Sequence, residues 1–274
     1  MTLPNPQSDH YVQWLKLGKS EDLGIGNFFE YIIQLIYASV LQPGGLAIDC
    51  GANRGMHTFP LVRSVGMNGK VVAYEPIPTL AANLACSIDA QGIKNIVIRP
   101  VALGASTGEI QFYYLPDFDY ISGIKISSNV PVKYKQKFER IQVPMVSLDE
   151  DLIETDSVRF LKLDLEGGEY HALIGAKRIM EQHRPLIVFE NTRQGSASTY
   201  GYNRDDLFNI FEASGYFVFD ILGRRFRRED WDKPDFPWYF IAAQRPDDLQ
   251  FIRSKLGHLI GLISTILTRH SNLS

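Results

Sequence analysis

The strongest constraint in this sequence is an alternation. Short apolar runs end at Asp49 (LAID), Glu75 (KVVAYE), Pro100 (NIVIRP), Asp164 (VRFLKLD) and Glu190 (PLIVFE), and helical patterns over about 55–65, 78–91, 168–181 and 203–214 separate most of them. Strands that alternate with helices in this way build a parallel sheet covered on both faces, joined by right-handed crossovers. Two stretches depart from the rhythm. Residues 108–147 are rich in Tyr, Phe, Val and Ile (EIQFYYL, GIKIS, RIQVPMVS), which predicts a β-rich insertion after the third strand, a candidate lid where a crossover helix would sit. Residues 216–222 and 238–243 follow one another with no helix long enough for a parallel crossover, so they are expected to pair antiparallel. The expected fold is therefore α/β, a doubly wound, mostly parallel sheet with a C-terminal antiparallel strand pair. It divides into an N-terminal helical segment (1–45), a main domain (46–245) and a C-terminal amphipathic helix (246–274).

Composition narrows the partners. The chain has 274 residues, 45% hydrophobic, enough to bury a sizeable core. With 28 Lys+Arg against 31 Asp+Glu the formal charge is 28 − 31 = −3, which argues against a general polyanion binder and makes a small molecule the default partner. The cysteines, Cys50 and Cys86, form no CxxC pair, so a reducing compartment is expected. The N-terminus lacks a basic region followed by an apolar one, and the expected location is the cytoplasm. The apolar tail 256–267 is about half the ~20 residues that cross a bilayer. With Arg253, Lys255 and Arg269 beside it, it is expected to pack on its own domain or on a second copy in a homodimer, peripheral membrane contact being the alternative. The basic run from Arg224 to Arg228 lies between the last two strands and reads as a solvated turn rather than a nucleic-acid site.

The segment AIDCGANRG (47–55) sets Asp49, Gly51 and Gly55 at the end of the first strand, where ligands of open α/β sheets bind. A dinucleotide fold would carry G-x-G-x-x-G; here acidic Asp49 holds the first glycine position and repels a phosphate. Glu75, at the end of the next strand, suits both hydroxyls of a ribose. An adenosine without phosphates and with cationic groups meets these demands. S-adenosylmethionine is such a ligand, its carboxylate suited to the turn's N–H groups and Thr58.

The sequence resembles the FkbM family of methyltransferases, a branch of the class I, Rossmann-like S-adenosylmethionine-dependent enzymes. The resemblance rests on IDCGANRGMHT (48–58), AYEPIP (73–78), VALG (101–104), VSLDE (146–150), FLKLDLEGGEYHALIGA (160–176) and PLIVFE (185–190), in that order along the chain. It implies Asp49, Gly51, Ala52, Asn53, Gly55 and Thr58 near the methionine moiety, Glu75 at the ribose, and Val101 and Ala102 near adenine. It also implies O-methylation of a hydroxyl on a sugar, polyketide or similar metabolite. The Asn/Asp-Pro-Pro-aromatic turn of nucleobase amine methyltransferases is replaced by Asp164-Leu-Glu-Gly-Gly.

A protonated alcohol is a poor nucleophile, so a base or a metal is expected near the transferred methyl group. Asp164, Glu166 and Glu190 come from adjacent strand ends. They serve either as a base, with one pKa raised by mutual repulsion, or as ligands for Mg²⁺. The metal-free base is the expectation, with Asp164 assigned to the cofactor, Glu166 and Glu190 as the base candidates and His57 in reserve. The alternatives are a nucleotide-cofactor oxidoreductase and a non-catalytic scaffold that uses the C-terminal helix.

Overall fold

The structure, a computed structural model, describes residues 9–19, 28–126, 130–153 and 157–271. Parts of the expected N-terminal segment (1–8, 20–27), insertion (127–129) and C-terminus (272–274, with the side chain of Arg269) lie outside the described residues. The strands are β1 (Leu46–Cys50), β2 (Lys70–Tyr74), β3 (Ile96–Arg99), β4 (Ala102–Leu103), β5 (Gly108–Tyr114), β6 (Glu139–Val146), β7 (Val158–Leu163), β8 (Leu186–Glu190), β9 (Phe217–Asp220) and β10 (Tyr239–Ala243).

Seven strands form one sheet in the order β3-β2-β1-β7-β8-β10-β9. It is parallel from β3 to β8, and β10 runs antiparallel to both neighbours. The chain works outward from β1 to β3 and then returns to β7 on the other flank. The strand order therefore reverses between β1 and β7, where a crevice opens at the carboxyl ends. The Rossmann-like, doubly wound architecture and its terminal antiparallel pair are those expected.

The period of two along each strand sorts side chains between two cores. Leu46, Ile48, Cys50, Leu161, Leu163, Ile187 and Phe189 face one way, toward helices Glu169–Ile174, Lys177–His183 and Arg204–Ala213. Ala47, Phe160, Val188, Tyr239 and Ile241 face the other way, toward helices Phe28–Val40 and Thr58–Val65. Asp49, Lys162 and Asp164 share the parity of this second set, and Asp49 and Lys162 are register partners. The sheet thus carries a charged row at the top of an apolar face.

The C-terminal segment packs on that same face. Helix Pro246–Phe251 continues through a π-helical turn, Ile252–Leu256, into helix Gly257–Ser271. Phe251, Ile252, Leu256 and Ile260 are buried with Tyr11 and Trp14 of the first helix, Asp9–Lys19, and Arg159 on β7 pairs with buried Asp248. No helix among the described residues is long and apolar enough to cross a membrane.

The insertion is a separate sheet in the order β4-β6-β5, β5 and β6 antiparallel, and it begins before residue 108 because β4 joins it. Two other details differ from the sequence reading. The helix expected over 168–181 is two helices, broken at Gly175, where an added Cβ would run into the Gly104 carbonyl; the insertion's base packs into the break. The stretch 191–200, whose wealth of hydroxyls and amides reads as a loop, contains helix Gln194–Tyr200. There the hydroxyls of Ser198 and Thr199 donate to the carbonyls of Gln194 and Gly195, bonds that the helix itself supplies.

Candidate active site

A cavity of about 580 Å³ opens over the carboxyl ends of the parallel strands, within the ~300–1,000 Å³ of small-molecule sites. Its composition changes along the sheet. At the β3 side Ile77, Val101, Ala102, Leu103, Phe112 and Ile124 make an apolar slot roofed by the insertion. Over β2 stands Glu75, over β1 the turn Gly51–Asn53, over β7 Lys162, Asp164 and Glu166, and over β8 and β10 Glu190 and Tyr239.

Glu75 is held rather than free to swing. Its Oε2 accepts the Asn53 amide at 2.8 Å and its Oε1 the Ile77 amide at 2.9 Å. Burial nonetheless pushes its carboxyl up to about 7. The two backbone bonds use one lone pair on each oxygen, and the remaining pairs are available to vicinal hydroxyls of a bound ligand.

The glycine turn answers to the protein as well as to a ligand. Gly51 has φ +81°, and a Cβ there would run into the carbonyl of Asp164. The turn after β1 therefore presses on the end of β7, and only glycine permits both the contact and the positive φ. Gly55, also at positive φ, packs against Phe59 and Leu84.

Of the residues expected at the cofactor, Gly51, Ala52, Asn53, Glu75, Val101, Ala102 and Asp164 line the cavity, as do His57, Glu166 and Glu190. Asp49, Gly55 and Thr58 stand behind its wall. Thr58, expected beside a ligand carboxylate, is buried, and its hydroxyl donates to Asp49 Oδ2 at 2.6 Å. Asp49, likewise buried, lies 3.5 Å from Lys162 Nζ. Its parity turns it toward helix Thr58–Val65, where it braces the turn.

Asp164, Glu166 and Glu190 converge, each offering an oxygen within 4.8 Å of the others. Their environments push them apart. Burial raises Asp164, but Lys162 Nζ at 3.2 Å outweighs it and holds this carboxyl below the usual range. Burial, then the charge of Asp164, pushes Glu166 well up. Burial, then Glu166 and Asp164, does the same to Glu190. Glu166 sits at φ +53°, and the turn that carries it is tied by Glu169, whose Oε1 accepts the amides of Leu165 and Gly167.

Sequence reasoning missed three participants. Lys162 looks like an ordinary strand lysine until its register with Asp49 is known. Glu30 comes from helix Phe28–Val40 and Tyr239 from β10; Glu30 accepts from the Tyr239 hydroxyl at 2.8 Å and lies 2.6 Å from His57 Nε2. His57 Nδ1 is buried without a partner. Neither nitrogen of His57 is open to an acceptor hydroxyl, and the ring buttresses Glu30.

A doubly wound sheet whose switch point carries a cavity with an apolar slot, a buried carboxylate at Glu75 and an acidic end has the site of a Rossmann-like small-molecule binder. A family model for the methyltransferase FkbM domain matches residues 49–218, more than half of the chain, and the chain belongs to that family. No curated protein matches it. Among solved structures it is similar to methyltransferase FkbM from Methylobacillus flagellatus KT, at 15% identity and TM-score 0.44 over 85% of this chain and 58% of that one. It is also similar to a SAM-dependent O-methyltransferase from Thermotoga maritima (13% identity, TM-score 0.44, 79% of this chain and 64% of that one). A third is a SAM-dependent methyltransferase from Aquifex aeolicus (12% identity, TM-score 0.41, 85% and 96%). The chain spans somewhat under two thirds of the length of the first two.

Proposed function

We propose that this protein is an S-adenosylmethionine-dependent O-methyltransferase acting on a hydroxyl of a sugar, polyketide or similar small metabolite. The observation that carries this reading is the gradient along the cavity, from an apolar slot through Glu75 to the cluster of Asp164, Glu166 and Glu190. The residues present fit the cofactor. The slot and Glu75 suit its adenosine, and the acidic end suits its positive charge, whereas a pyrophosphate would meet carboxylates.

The bound cofactor supplies an electrophilic methyl group, and the chain's own residues do the rest. Asp164, kept ionised by Lys162, lends negative charge to the reaction end. Glu166 and Glu190, whose carboxyls burial raises above the ordinary range, are placed to take the acceptor's proton as its oxygen attacks in line, the role of a general base. Alignment of the acceptor about 3 Å from the methyl supplies several kcal/mol of the barrier.

Calorimetric titration with S-adenosylhomocysteine and with NADH, followed by transfer of a radiolabelled methyl group to hydroxyl acceptors, tests this. Binding of the first ligand and labelled product are expected; saturable binding of NADH alone overturns the reading in favour of an oxidoreductase. Glu166→Gln and Glu190→Gln are expected to lower turnover about 10²-fold, the usual scale for a lost general base, with cofactor affinity nearly unchanged. The same carboxylates have the spacing of a hard-cation site, and activity abolished by EDTA and restored by Mg²⁺ reassigns them to a metal.

A further inference from the structure

Glu30 lies outside the segment that the family model matches, as does Tyr239, yet both line the cavity. The sheet order says which part of the ligand they face. If Glu75 over β2 takes the ribose and the slot on the β3 side takes the base, the remainder of the ligand extends across β1 toward β7. Glu30 arrives there from the helix that covers this face, next to His57 after β1 and Tyr239 on β10, which itself lies 3.4 Å from Asp164.

The site's carboxylates differ in how they are neutralised. Asp49 and Asp164 share the ammonium of Lys162, and Glu166 and Glu190 are raised by burial first and then by neighbouring carboxylates. Glu30, with 15% of its side chain exposed, has an imidazole and a phenol as its bonded partners. These fix both oxygens without supplying a permanent positive charge in contact with them; Lys162 feels the charge of Glu30 but is paired with Asp49 and Asp164. A rigid, aimed and largely desolvated carboxylate at the end of a cavity is the arrangement that selects a primary ammonium.

We infer that Glu30 is the anionic receptor for the α-ammonium group of the cofactor's amino-acid end, aimed by His57 and Tyr239, so that the N-terminal helix completes a site whose nucleoside half lies in the family-matched segment. This assignment rests on the S-adenosylmethionine reading above. Tyr239 and His57 are positioning residues: they orient Glu30 and do not themselves meet the ligand.

The experiment is a binding cycle by calorimetry with S-adenosylhomocysteine, its analogue lacking the α-amino group, and 5′-methylthioadenosine, which lacks the amino acid altogether. In the wild type, removal of the amino group is expected to weaken binding about tenfold or more, the worth of a charge-assisted hydrogen bond. Glu30→Gln keeps the size and can still bond to both neighbours. It is expected to lose that same factor for S-adenosylhomocysteine while leaving methylthioadenosine unchanged, so that in the variant the first two ligands bind alike. Tyr239→Phe is expected to lose a smaller factor, for S-adenosylhomocysteine only. Equal losses for all three ligands in Glu30→Gln make the residue merely structural and overturn the inference. If that variant does not fold, equal affinity of the wild type for S-adenosylhomocysteine and its deaminated analogue overturns it independently. A wild type that binds methylthioadenosine but gains nothing from the amino-acid end counts against Glu30 alone, whereas one that binds none of the three removes the cofactor reading itself.

Discussion

Gly51 and Glu75 do different work within one motif, and the difference is measurable. Gly51→Ala forces a methyl group against the Asp164 carbonyl at a positive φ. It is expected to destabilise the fold by about 3 kcal/mol or more, a size reached by strain and overpacking at special backbone positions; denaturant unfolding of the variant checks this. Glu75→Ala removes a charged acceptor from the cavity and is expected to cost cofactor affinity about 1.5–3 kcal/mol for each bond lost, read by calorimetry with S-adenosylhomocysteine. Its effect on the fold is a separate matter, because the Asn53 and Ile77 amides lose their acceptor as well. The sequence made both residues conspicuous through their place at strand ends. It did not distinguish Asp49, which the same motif presents as a ligand and which the fold uses as a brace for Thr58 and Lys162.

Among the elements, the hairpin between β9 and β10 departs most from its sequence. Four arginines around an aromatic residue read as a solvated turn, but Arg224 is held between the rings of Phe236 and Tyr11. It also pairs with Asp235 at 2.6 Å and with buried Asp220 at 3.3 Å. Arg228 pairs with Asp205 and Glu212 of helix Arg204–Ala213. The cluster is a clasp that ties the first helix and the sheet edge together. Arg224→Ala leaves Asp220 buried with its guanidinium partner gone, and breaking such a pair costs about 3–5 kcal/mol; a fall in Tm that shrinks on acidification, as Asp220 becomes protonated, is the expected result. Linear patterns predict the elements because propensity and periodicity are local. They do not predict which acid an arginine meets, because the acids come from other elements.

For the whole molecule, the buried carboxyls set a pH dependence of stability. Burial raises Glu75 and Glu169 to about 7 and Asp220 to about 6. A carboxyl raised in the folded state binds its proton more tightly there than in the unfolded chain, so its contribution is fully present below the unfolded pKa and is lost as pH rises through the folded value. The ligand-free protein is therefore expected to lose stability from about pH 4 through 7, by on the order of 1.4 kcal/mol per pH unit for each group while it lies between its unfolded and folded pKa, and the raised Glu166 and Glu190 act in the same direction. Urea unfolding at pH 5 and pH 8 checks this, and a higher stability at pH 8 refutes it. The lowered pKa of Asp164 acts oppositely but only in acid, outside that window. By itself the sequence determined the alternation of strands and helices, the antiparallel end of the sheet, the β-rich insertion and the strand-end carboxylates Glu75, Asp164, Glu166 and Glu190, because each follows from periodicity or from position at the end of an apolar run. Only the tertiary structure decided that Lys162 splits the acidic cluster, that Thr58 is spent on Asp49, and that Glu30 and Tyr239, 209 residues apart, meet in the cavity. These depend on strand register, side-chain parity and the docking of terminal helices, which arise from packing between segments far apart in the chain and leave no local signal in it.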